Sequence, residues 1–436
     1  METLLEQIVA DFQERPLPDL TRRRVALPRL PGKADVVIGM RRTGKTYFLY
    51  QVMAETVERG TPKEAMLYVN FDDERLQPLT GGDLHRVVDA YYRLYPERRA
   101  ATAHLFFDEI QNIAGWEPFV RRLLDTEQVQ ICLTGSSAKL LSREIATSLR
   151  GRSLTTEIFP FSFAEALAHQ GVEPPTAGRR PGAKVRSLLE NRLRSYLFTG
   201  GFPEIQGIEA SLRIRILQEY VDVVILRDVA ERHAVANLPP LRALIRHLLA
   251  APATLFSVNK FYNDLRSQGI ACGKNTLHEY LDHLADAYLV FTVPIHSRSE
   301  RARRVNPRKV YCIDPGLAVS FCRRPRPDAG RLLENLCFLE LRRRNQEIEY
   351  YRTARGEEVD FLSTDLRGER SLTQVALETT EPATRRRELR ALATAMDELH
   401  LDHGTLVTLN EEGRVNTDAG TVEILPAWQW CLAHAE

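Results

Sequence analysis

The residues whose types and spacing best fit a chemical role form the sequence GMRRTGKT at positions 39–46. This sequence matches the phosphate-binding pattern GxxxxGK[ST], and it stands between the apolar run ADVVI and a helix-compatible segment, as that pattern requires. Lys45 would reach the β- and γ-phosphates of a nucleotide, and the Thr46 hydroxyl would bind Mg²⁺. Whether Arg41 and Arg42 contact phosphate or a neighbouring subunit stays open. The predicted nucleotide-binding residues are Gly39, Arg42, Thr43, Gly44, Lys45, Thr46 and Tyr47.

A second motif, AHLFFDEI at residues 103–110, would complete a hydrolytic site. It ends an apolar run with Asp108 and Glu109, and nucleotide hydrolases with such a loop carry an acid at the end of a second buried strand. We therefore expect Asp108 to hold Mg²⁺ and Glu109 to orient or deprotonate the attacking water. Each motif also has a simpler interpretation, a glycine-rich turn for the first and a helix N-cap for the second. Their joint presence favours catalysis.

A third apolar run, QICLTGSS at residues 130–137, ends in hydroxyl side chains. If this run forms a strand beside the other two, Thr134 or Ser136 stands near the terminal phosphate and senses it. A strand-to-helix turn without a ligand is the alternative. Together with EAMLYVNF, these runs predict an α/β fold: a P-loop parallel sheet with helices on both faces.

Composition limits the classes of protein to be considered. With 436 residues the chain exceeds the usual domain of about 100–200 residues, so about two to four domains are expected. Hydrophobic content of 44% and charged content of 27% are typical of a soluble protein, and no apolar run approaches the roughly 20 residues of a membrane span. The acidic, proline-containing N-terminus differs from a signal peptide, so we expect a cytoplasmic protein with no membrane partner. The six cysteines form no CxxC pair, which argues against a zinc site or a disulfide framework.

The order of these motifs resembles a branch of the AAA+ ATPases of bacteria and archaea. The resemblance rests on GMRRTGKT, FFDEIQNIAGWEPFVRRLLD, LTGSSAKLLSREIATSLRGR and the later TGGFP at residues 199–203. It implies ATP and Mg²⁺ as cofactors, an ATPase core over residues 1–170, and a homo-oligomer, of which a hexameric ring is one form. In AAA+ proteins an arginine after the sensor strand reaches the γ-phosphate of a neighbouring subunit, and Arg150 or Arg152 stands in that region. Pairing of these arginines with local acids is the alternative.

Downstream of the core, the sequence predicts a connector and then a winged helix. Residues 171–236 begin with a stretch rich in proline, glycine and arginine, and continue with a helical pattern from Ser211 to His233 that would form a lid or connector. Over residues 237–325, the helical patterns LPPLRALIRHLLAA, SVNKFYNDLRSQG and GKNTLHEYLDHLADA precede the strand-like YLVFTVPIHS. Three helices followed by strands are the order of a winged helix, whose third helix would enter a DNA major groove.

The segment after the third helix, HSRSERARRVNPRKVYCID, would be the wing of this domain. Within residues 298–309 its basic side chains are opposed by the single acid Glu300, so contact with DNA phosphates is expected. The third helix is poor in cations and carries Glu279, Asp282 and Asp286, which leaves a protein-interaction module as the alternative. The predicted DNA-binding residues are Arg298, Arg301, Arg303, Arg304, Arg308 and Lys309.

The C-terminal residues 326–436 read as the helix LLENLCFLELRRR followed by the strands IEYYRT, GEEVDFLSTD and SLTQVALE. This order resembles the restriction-endonuclease-like fold. Active nucleases of that fold need a helix acid, an Asp on one strand and an acid-x-Lys on the next, because carboxylates hold the metal and the lysine assists the water. Glu334 and Asp360 match the first two positions, whereas Gln374 and Ala376 replace the last acid and the lysine. We therefore predict an inactive nuclease domain that can still bind DNA or a partner.

These features together predict an ATP-dependent, DNA-binding AAA+ ATPase. In this interpretation ATP hydrolysis is coupled to DNA binding or remodelling, and a ring motor acting on duplex or branched DNA is one form that such coupling takes. The alternative is a nucleotide-controlled signalling or defence switch that binds protein partners rather than DNA. The near-neutral third helix favours the switch, and the arginine-rich wing favours DNA.

Overall fold

In the structure, a computed structural model, the chain forms two compact units, Met1–Phe159 and Pro160–Glu436. Each unit has its own sheets and its own core. At residue 304 the backbone is described and the side chain is not. The described residues are 1–77, 79–135, 149, 151–175, 181–322 and 327–433.

A parallel sheet of five strands forms the centre of the first unit. The strands are β1 Ala34–Ile38, β2 Met66–Asn70, β3 Ala103–Asp108, β4 Val129–Gly135 and β5 Ser153–Glu157. They lie in the order β2-β3-β4-β1-β5, and every neighbouring pair is parallel, so their carboxyl ends share one edge of the sheet. The register places Ile38 beside Gly135 and Asn70 beside Asp108 at that edge. The predicted α/β sheet is confirmed.

Helices pack against this sheet through apolar side chains. Strand β1 is buried along its whole length, as a strand covered on both faces must be. The first helix buries Leu5, Val9 and Phe12, which recur at helical spacing, and Phe12 joins a core with Phe48 and Phe106. The helices of this unit include Glu2–Glu14, Lys45–Glu58, His85–Leu94 and Glu117–Thr126.

The N-terminal part of the second unit is helical. The helical pattern read from Ser211 to His233 coincides with an unbroken helical segment, of which residues 224–230 are a π-helix. Among the described residues, no helix combines the length and the apolar character needed to cross a membrane. The elements here are Phe163–His169, Ala183–Thr199, Ala210–Val223, the π-helix Val224–Ala230, and Glu231–His233.

The motif TGGFP lies at a close contact within this unit. Gly200 ends the helix Ala183–Thr199 with φ of 82°, and a Cβ on Gly200 would lie 2.0 Å from Oδ1 of Asp314. The Asp314 carboxylate accepts hydrogen bonds from the backbone N–H groups of Gly201 at 2.6 Å and Leu317 at 2.9 Å. Glycine is therefore required here for both the backbone conformation and the close approach.

Residues 238–312 follow the order helix, strand, helix, helix, strand, short helix, strand. The helices are Leu238–Ala250, Val258–Ser267 and Lys274–Asp286, and the strands are β6 Thr254–Phe256, β7 Val290–Val293 and β8 Arg308–Cys312. The strands form an antiparallel sheet in the order β6-β8-β7. The hydroxyl of Ser257 caps the second helix by accepting a hydrogen bond from the N–H of Lys260. A short helix, Glu300–Val305, lies in the segment predicted as the wing.

A mixed sheet of six strands forms the C-terminal part. The strands are β9 Glu347–Arg352, β10 Glu358–Thr364, β11 Arg370–Val375, β12 His403–Thr408, β13 Gly413–Thr417 and β14 Gly420–Pro426. They lie in the order β13-β14-β12-β11-β10-β9, with β12 parallel to both β11 and β14. Leu372 and Leu406 of the sheet form a core with Leu392 and Met396. The helices of this part include Pro315–Phe321, Ala329–Arg343, Pro382–Leu399 and Ala427–Leu432.

Candidate nucleotide-binding and catalytic site

The loop at residues 39–46 leads from β1 into the helix Lys45–Glu58. Gly39 has φ of 152°, and a Cβ there would lie 2.2 Å from the carbonyl oxygen of Ile158. Gly44 is the N-cap of the helix in the left-handed region, with φ of 93°, and no side chain caps the first turn. The N–H groups of that turn lack a side-chain cap, which is the arrangement in which a helix N-terminus binds an anion.

Arg23 supports the loop and was not found from the sequence. Its side chain is buried and donates hydrogen bonds to the carbonyl oxygens of Thr43, at 2.9 Å, and Phe159. The backbone of Arg23 pairs twice with the side-chain amide of Gln51 on the loop's helix, at 2.6 and 3.1 Å. A buried guanidinium bonded to two separate carbonyls fixes the loop's position. No local pattern marks Arg23, because its partners lie 20 to 136 positions away.

Lys45 turns its ammonium group back into the loop. The side chain is 5% exposed, and Nζ donates to the carbonyl oxygens of Gly39 at 3.1 Å and Met40 at 3.2 Å. Nζ also lies 3.8 Å from Oε1 of Glu109. The ammonium group therefore stands between the loop and the acid that follows β3, where a phosphate would compete with Glu109 for it.

Asp108 is the centre of the hydrogen-bond network at the end of β3. It is fully buried, and its Oδ2 accepts from the Thr46 hydroxyl at 2.7 Å and from the Tyr68 hydroxyl at 3.0 Å. Its Oδ1 accepts from the Thr134 hydroxyl. Residues from three strands and the loop helix thus meet at one carboxylate. Tyr68 was not predicted as a site residue, since a single tyrosine on a buried strand has no distinguishing pattern.

The pKa of Asp108 reflects two opposing effects. Burial raises the pKa of the carboxyl above its ordinary value, whereas the hydrogen bonds from Thr134, Thr46 and Tyr68 act in the opposite direction because they stabilise the charged form. Burial and the neighbouring Asp108 raise the pKa of Tyr68. The hydroxyl therefore keeps its proton and donates a hydrogen bond to Asp108. The hydroxyl donors are therefore what favours an ionised Asp108 in a buried position.

Glu109 has a strained backbone. Its φ of 52° lies in the left-handed region, which costs a residue with a side chain about 1 kcal/mol. The backbone N–H of Glu109 donates to the Thr134 hydroxyl at 2.9 Å, and its Oε2 accepts from the Gln111 side chain. The Thr134 hydroxyl thus bonds both acids of the motif. Thr134 therefore positions both Asp108 and Glu109. The contact between Gln111 and Glu109 was not predicted from the sequence.

The residues fit ATP with Mg²⁺. The uncapped helix start and the glycine cradle suit phosphate oxygens, and Lys45 supplies a positive charge beside them. The hydroxyl oxygen of Thr46 and a carboxylate oxygen of Asp108 lie 2.7 Å from each other. Oxygen donors are the ligands that Mg²⁺ prefers. Among the described residues, this site included, no group of three or more His, Cys, Asp or Glu side chains is arranged to hold a metal ion by itself, so the Mg²⁺ expected here would be held together with the nucleotide phosphates.

Comparison with known proteins agrees with this site. Residues 32–167 match the AAA domain family AAA_14. The uncharacterized protein MJ1544 of Methanocaldococcus jannaschii is 35% identical, over 99% of this chain and 96% of its own length. The chain belongs to the MJ1544 family.

Other matches extend over the second unit. In this MJ1544-family chain, residues 190–328 and 329–430 match two domains of unknown function, DUF8612 and DUF4143. An uncharacterized protein of Haemophilus influenzae is 28% identical over 75% of this chain and 78% of its own length. The Walker-type ATPase PABY2304 of Pyrococcus abyssi, a solved structure, aligns over 74% of this chain and 95% of its own, with 12% identity and a TM-score of 0.42.

The remaining predicted catalytic residues, and the predicted nucleotide-binding residue Tyr47, lie in different surroundings in this MJ1544-family chain. Arg152 forms an ion pair with Asp125 of the same chain, and both side chains are about half exposed. Tyr47 is 55% exposed and meets Tyr50 edge to face, with ring centroids 6.0 Å apart. The predicted residues Ser136 and Arg150 lie outside the described residues.

The predicted DNA-binding residues do not form one exposed group. Arg303 lies 3.0 Å from a carboxylate oxygen of Glu349, so its charge is used within the fold. Lys309 is 3% exposed and is bonded to carboxylates. Burial removes Lys309 from any contact with DNA phosphates, which corrects that prediction. The side chain of Arg304 is outside the described part. The exposed members are Arg298, Arg301 and Arg308.

Proposed function

We propose that this chain is a Mg²⁺-dependent ATP hydrolase of the AAA type. The observation that carries the proposal is the hydrogen bond of 2.7 Å between Thr46 of the P-loop and Asp108 at the end of β3. It joins the loop that would bind phosphates to the acid that would hold Mg²⁺. The match of residues 32–167 to the AAA domain supports the same activity.

Each catalytic group has a defined part in this proposal. The backbone of residues 39–46 and the Lys45 ammonium would bind and neutralise the phosphates. Thr46 and Asp108 would hold Mg²⁺, which, when bound, neutralises charge on the phosphates. Glu109 would orient water and take its proton, and Thr134 and Gln111 hold Glu109 in place for that step. Displacement of Lys45 from Glu109 by a phosphate would free that carboxylate for the water.

We further propose that hydrolysis is coupled to DNA through the second unit. Residues 238–312 have the element order of a winged helix, and Arg298, Arg301 and Arg308 are exposed on and around its short helix Glu300–Val305. Three cations near one segment are suited to phosphate contact. A homo-oligomer, with Arg150 or Arg152 completing a neighbour's site, belongs to the same proposal.

The second candidate is a nucleotide-controlled switch that binds protein partners. Two of the six predicted DNA-binding residues, Arg303 and Lys309, are bonded to carboxylates, which lowers the charge left for DNA. The exposed face of the helix Lys274–Asp286 includes Glu279 and Asp282, which would repel phosphate. These observations favour a protein partner over sequence-specific reading of a major groove.

The rate of ATP hydrolysis with and without DNA separates the two candidates. Duplex, single-stranded and four-way DNA are added at several salt concentrations to the wild type and to a variant with Arg298, Arg301 and Arg308 replaced by alanine. The DNA proposal predicts stimulation that falls with salt and with the triple substitution. A variant lacking the exposed Arg355, Arg367 and Arg414 is the matched control for lost charge. Hydrolysis that no DNA alters, together with no salt-dependent binding, contradicts the DNA proposal.

A further inference from the structure

Three carboxylates converge on the ammonium group of Lys309 in the second unit. Lys309 lies on β8, and its side chain is 4% exposed. Its Nζ lies 2.7 Å from Oδ1 of Asp360 and 3.0 Å from Oε1 of both Glu334 and Glu358. Glu334 belongs to the helix Ala329–Arg343, and the other two acids belong to β10. One lysine therefore joins β8, a helix and strand β10 of the C-terminal sheet.

The charges in this cluster are unequal. Three carboxylates face one ammonium, and Arg352 reaches only the outer oxygen of Glu358, at 3.3 Å. Burial, followed by the nearby Asp360, raises the pKa of Glu334 above its ordinary value, whereas Lys309 and the hydrogen bond from Tyr311 act in the opposite direction. Burial alone would lower the pKa of Lys309, but the carboxylates outweigh that effect and raise it above its ordinary value. The lysine is thus firmly charged, and the cluster has an excess of acids around it.

The groups around the acids are bonded to one another. The Tyr311 hydroxyl donates to Glu334 at 2.8 Å, and Oδ2 of Asp360 accepts from the N–H of Val375 at 2.9 Å. Gln374, which stands where a nuclease would have an acid, accepts from the N–H of Asp360 at 3.0 Å and donates to Glu388 at 2.7 Å. These bonds hold the carboxylate oxygens toward Lys309.

We propose that Lys309 is the built-in cation of this cluster: its ammonium group occupies the position that a divalent metal would need and closes the cluster to metal. Several carboxylate oxygens within about 3 Å of one point are a ligand set for Mg²⁺ or Mn²⁺. An ammonium group satisfies the same oxygens but has no open coordination position for water. The C-terminal sheet is therefore held to β8 without metal and without metal-assisted hydrolysis.

The geometry distinguishes this role from that of a relocated catalytic lysine. A lysine that assists a water must stand beside the metal and reach the substrate. Lys309 stands instead among the acids, within hydrogen-bond distance of all three, and is almost completely buried. The position that it fills is the one that the metal would take.

Binding of Mn²⁺ to the full chain, freed of metal with EDTA and kept without nucleotide, tests the proposal. Free Mn²⁺ is counted by its electron paramagnetic resonance for the wild type, Lys309→Ala, Lys309→Arg and Lys309→Ala/Glu358→Gln. Lys309→Ala should bind about one Mn²⁺ more per chain than the wild type, because its removal exposes the oxygens to metal. Lys309→Arg should show no gain, and the double variant should lose the gain. Any Mn²⁺ that binds at the P-loop site is common to all four proteins and does not affect the comparison.

Three results would overturn the proposal. The first is equal Mn²⁺ binding by folded wild type and folded Lys309→Ala. The second is Mn²⁺ binding by the wild type that exceeds binding by Lys309→Ala/Glu358→Gln, which would mean that the wild-type cluster is open to metal. The third is Mn²⁺-dependent DNA cleavage by the wild type that Lys309→Ala removes, which would make the lysine catalytic.

Refolding keeps the test decisive if Lys309→Ala does not fold after EDTA treatment. Mn²⁺ is then added during refolding, and far-ultraviolet circular dichroism reports the recovery of structure. Recovery in Lys309→Ala and none in the double variant supports the proposal, since metal then replaces the ammonium group. No recovery of Lys309→Ala at any Mn²⁺ concentration overturns it.

Discussion

The Thr46 hydroxyl donates a hydrogen bond of 2.7 Å to the Asp108 carboxylate across 62 positions of sequence. Thr46 belongs to the first turn of the P-loop helix, and Asp108 ends β3. Because parallel strands bring their carboxyl ends to one edge, the sheet places these two residues together. The two oxygen donors proposed for Mg²⁺ are thus already adjacent in the folded chain.

Thr134 is predicted to control the acid side of the pH profile. Thr134→Val removes a hydrogen bond to the Asp108 carboxylate, so the pKa of Asp108, already raised by burial, should rise further. A protonated Asp108 binds Mg²⁺ poorly. When the pH is lowered, the variant should therefore lose its hydrolytic activity at a higher pH than the wild type does. Loss of the buried bond should also destabilise the first unit by about 1–3 kcal/mol. The pH dependence of kcat and urea unfolding measure the two effects.

Thr126→Val is the matched control for Thr134→Val. The Thr126 hydroxyl donates to the carbonyl of Arg122 within its own helix, away from the acids. Its loss should leave the pH profile unchanged. If the acid limbs of Thr134→Val and the wild type coincide, Thr134 does not position Asp108.

Gly39→Ala should remove nucleotide binding. Its Cβ would lie 2.2 Å from the carbonyl oxygen of Ile158, and φ of 152° is strained for alanine, so the loop must move. Gly82→Ala, where the nearest atom lies at 3.6 Å, is the control in the same unit and should bind normally. Fluorescence of a labelled ATP measures both. Normal binding by Gly39→Ala would show that the loop does not need this backbone conformation.

The parts of the site predicted from sequence are those with a local pattern. The P-loop and the acids after β3 each occupy a short run, and the apolar run before each one predicts its strand. The contacts of Arg23 and Tyr68 depend on partners 20 to 136 positions away, so no run of residues shows them. Only the folded sheet brings such groups together.

Lys309 shows why a charge pattern can mislead. In the sequence it follows five arginines within a basic segment, and that neighbourhood favoured contact with DNA. Residues 309–312 of β8 are all buried, and Lys309 contacts acids 25 and 51 positions away. Successive side chains point to opposite faces of a strand, so four buried residues in a row mean that both faces of β8 are covered. A count of cations does not contain that information.

Stability of the second unit is predicted to depend on Asp314. Burial raises the pKa of Asp314 to about 6 in the folded chain, above the ordinary value of about 3.9. The folded form therefore binds the proton more tightly, and its stability should increase as the pH falls from about 7.5 to 5, by about 1 kcal/mol from this group. Asp314→Asn should lose that part of the pH dependence. Urea unfolding at both pH values measures the free energy of unfolding. If the difference between the two pH values is the same in Asp314→Asn as in the wild type, the prediction is contradicted.

Lys45→Ala should abolish binding of ATP. The variant removes the positive charge that stands between the loop carbonyls and Glu109. Lys33→Ala, a lysine of the same unit outside the loop, is the control and should bind ATP as the wild type does. Equilibrium binding of labelled ATP decides the result. Unchanged affinity in Lys45→Ala would remove this loop from nucleotide binding.

Hydrolysis by Glu109→Gln tests the central claim most directly. The substitution keeps the size of the side chain and removes the carboxylate that would take the proton from water. The variant should bind ATP and Mg²⁺ with an affinity close to that of the wild type, while its kcat falls by about 100-fold or more. Glu109→Gln that hydrolyses ATP at the wild-type rate would contradict the assignment of this site as the catalytic centre.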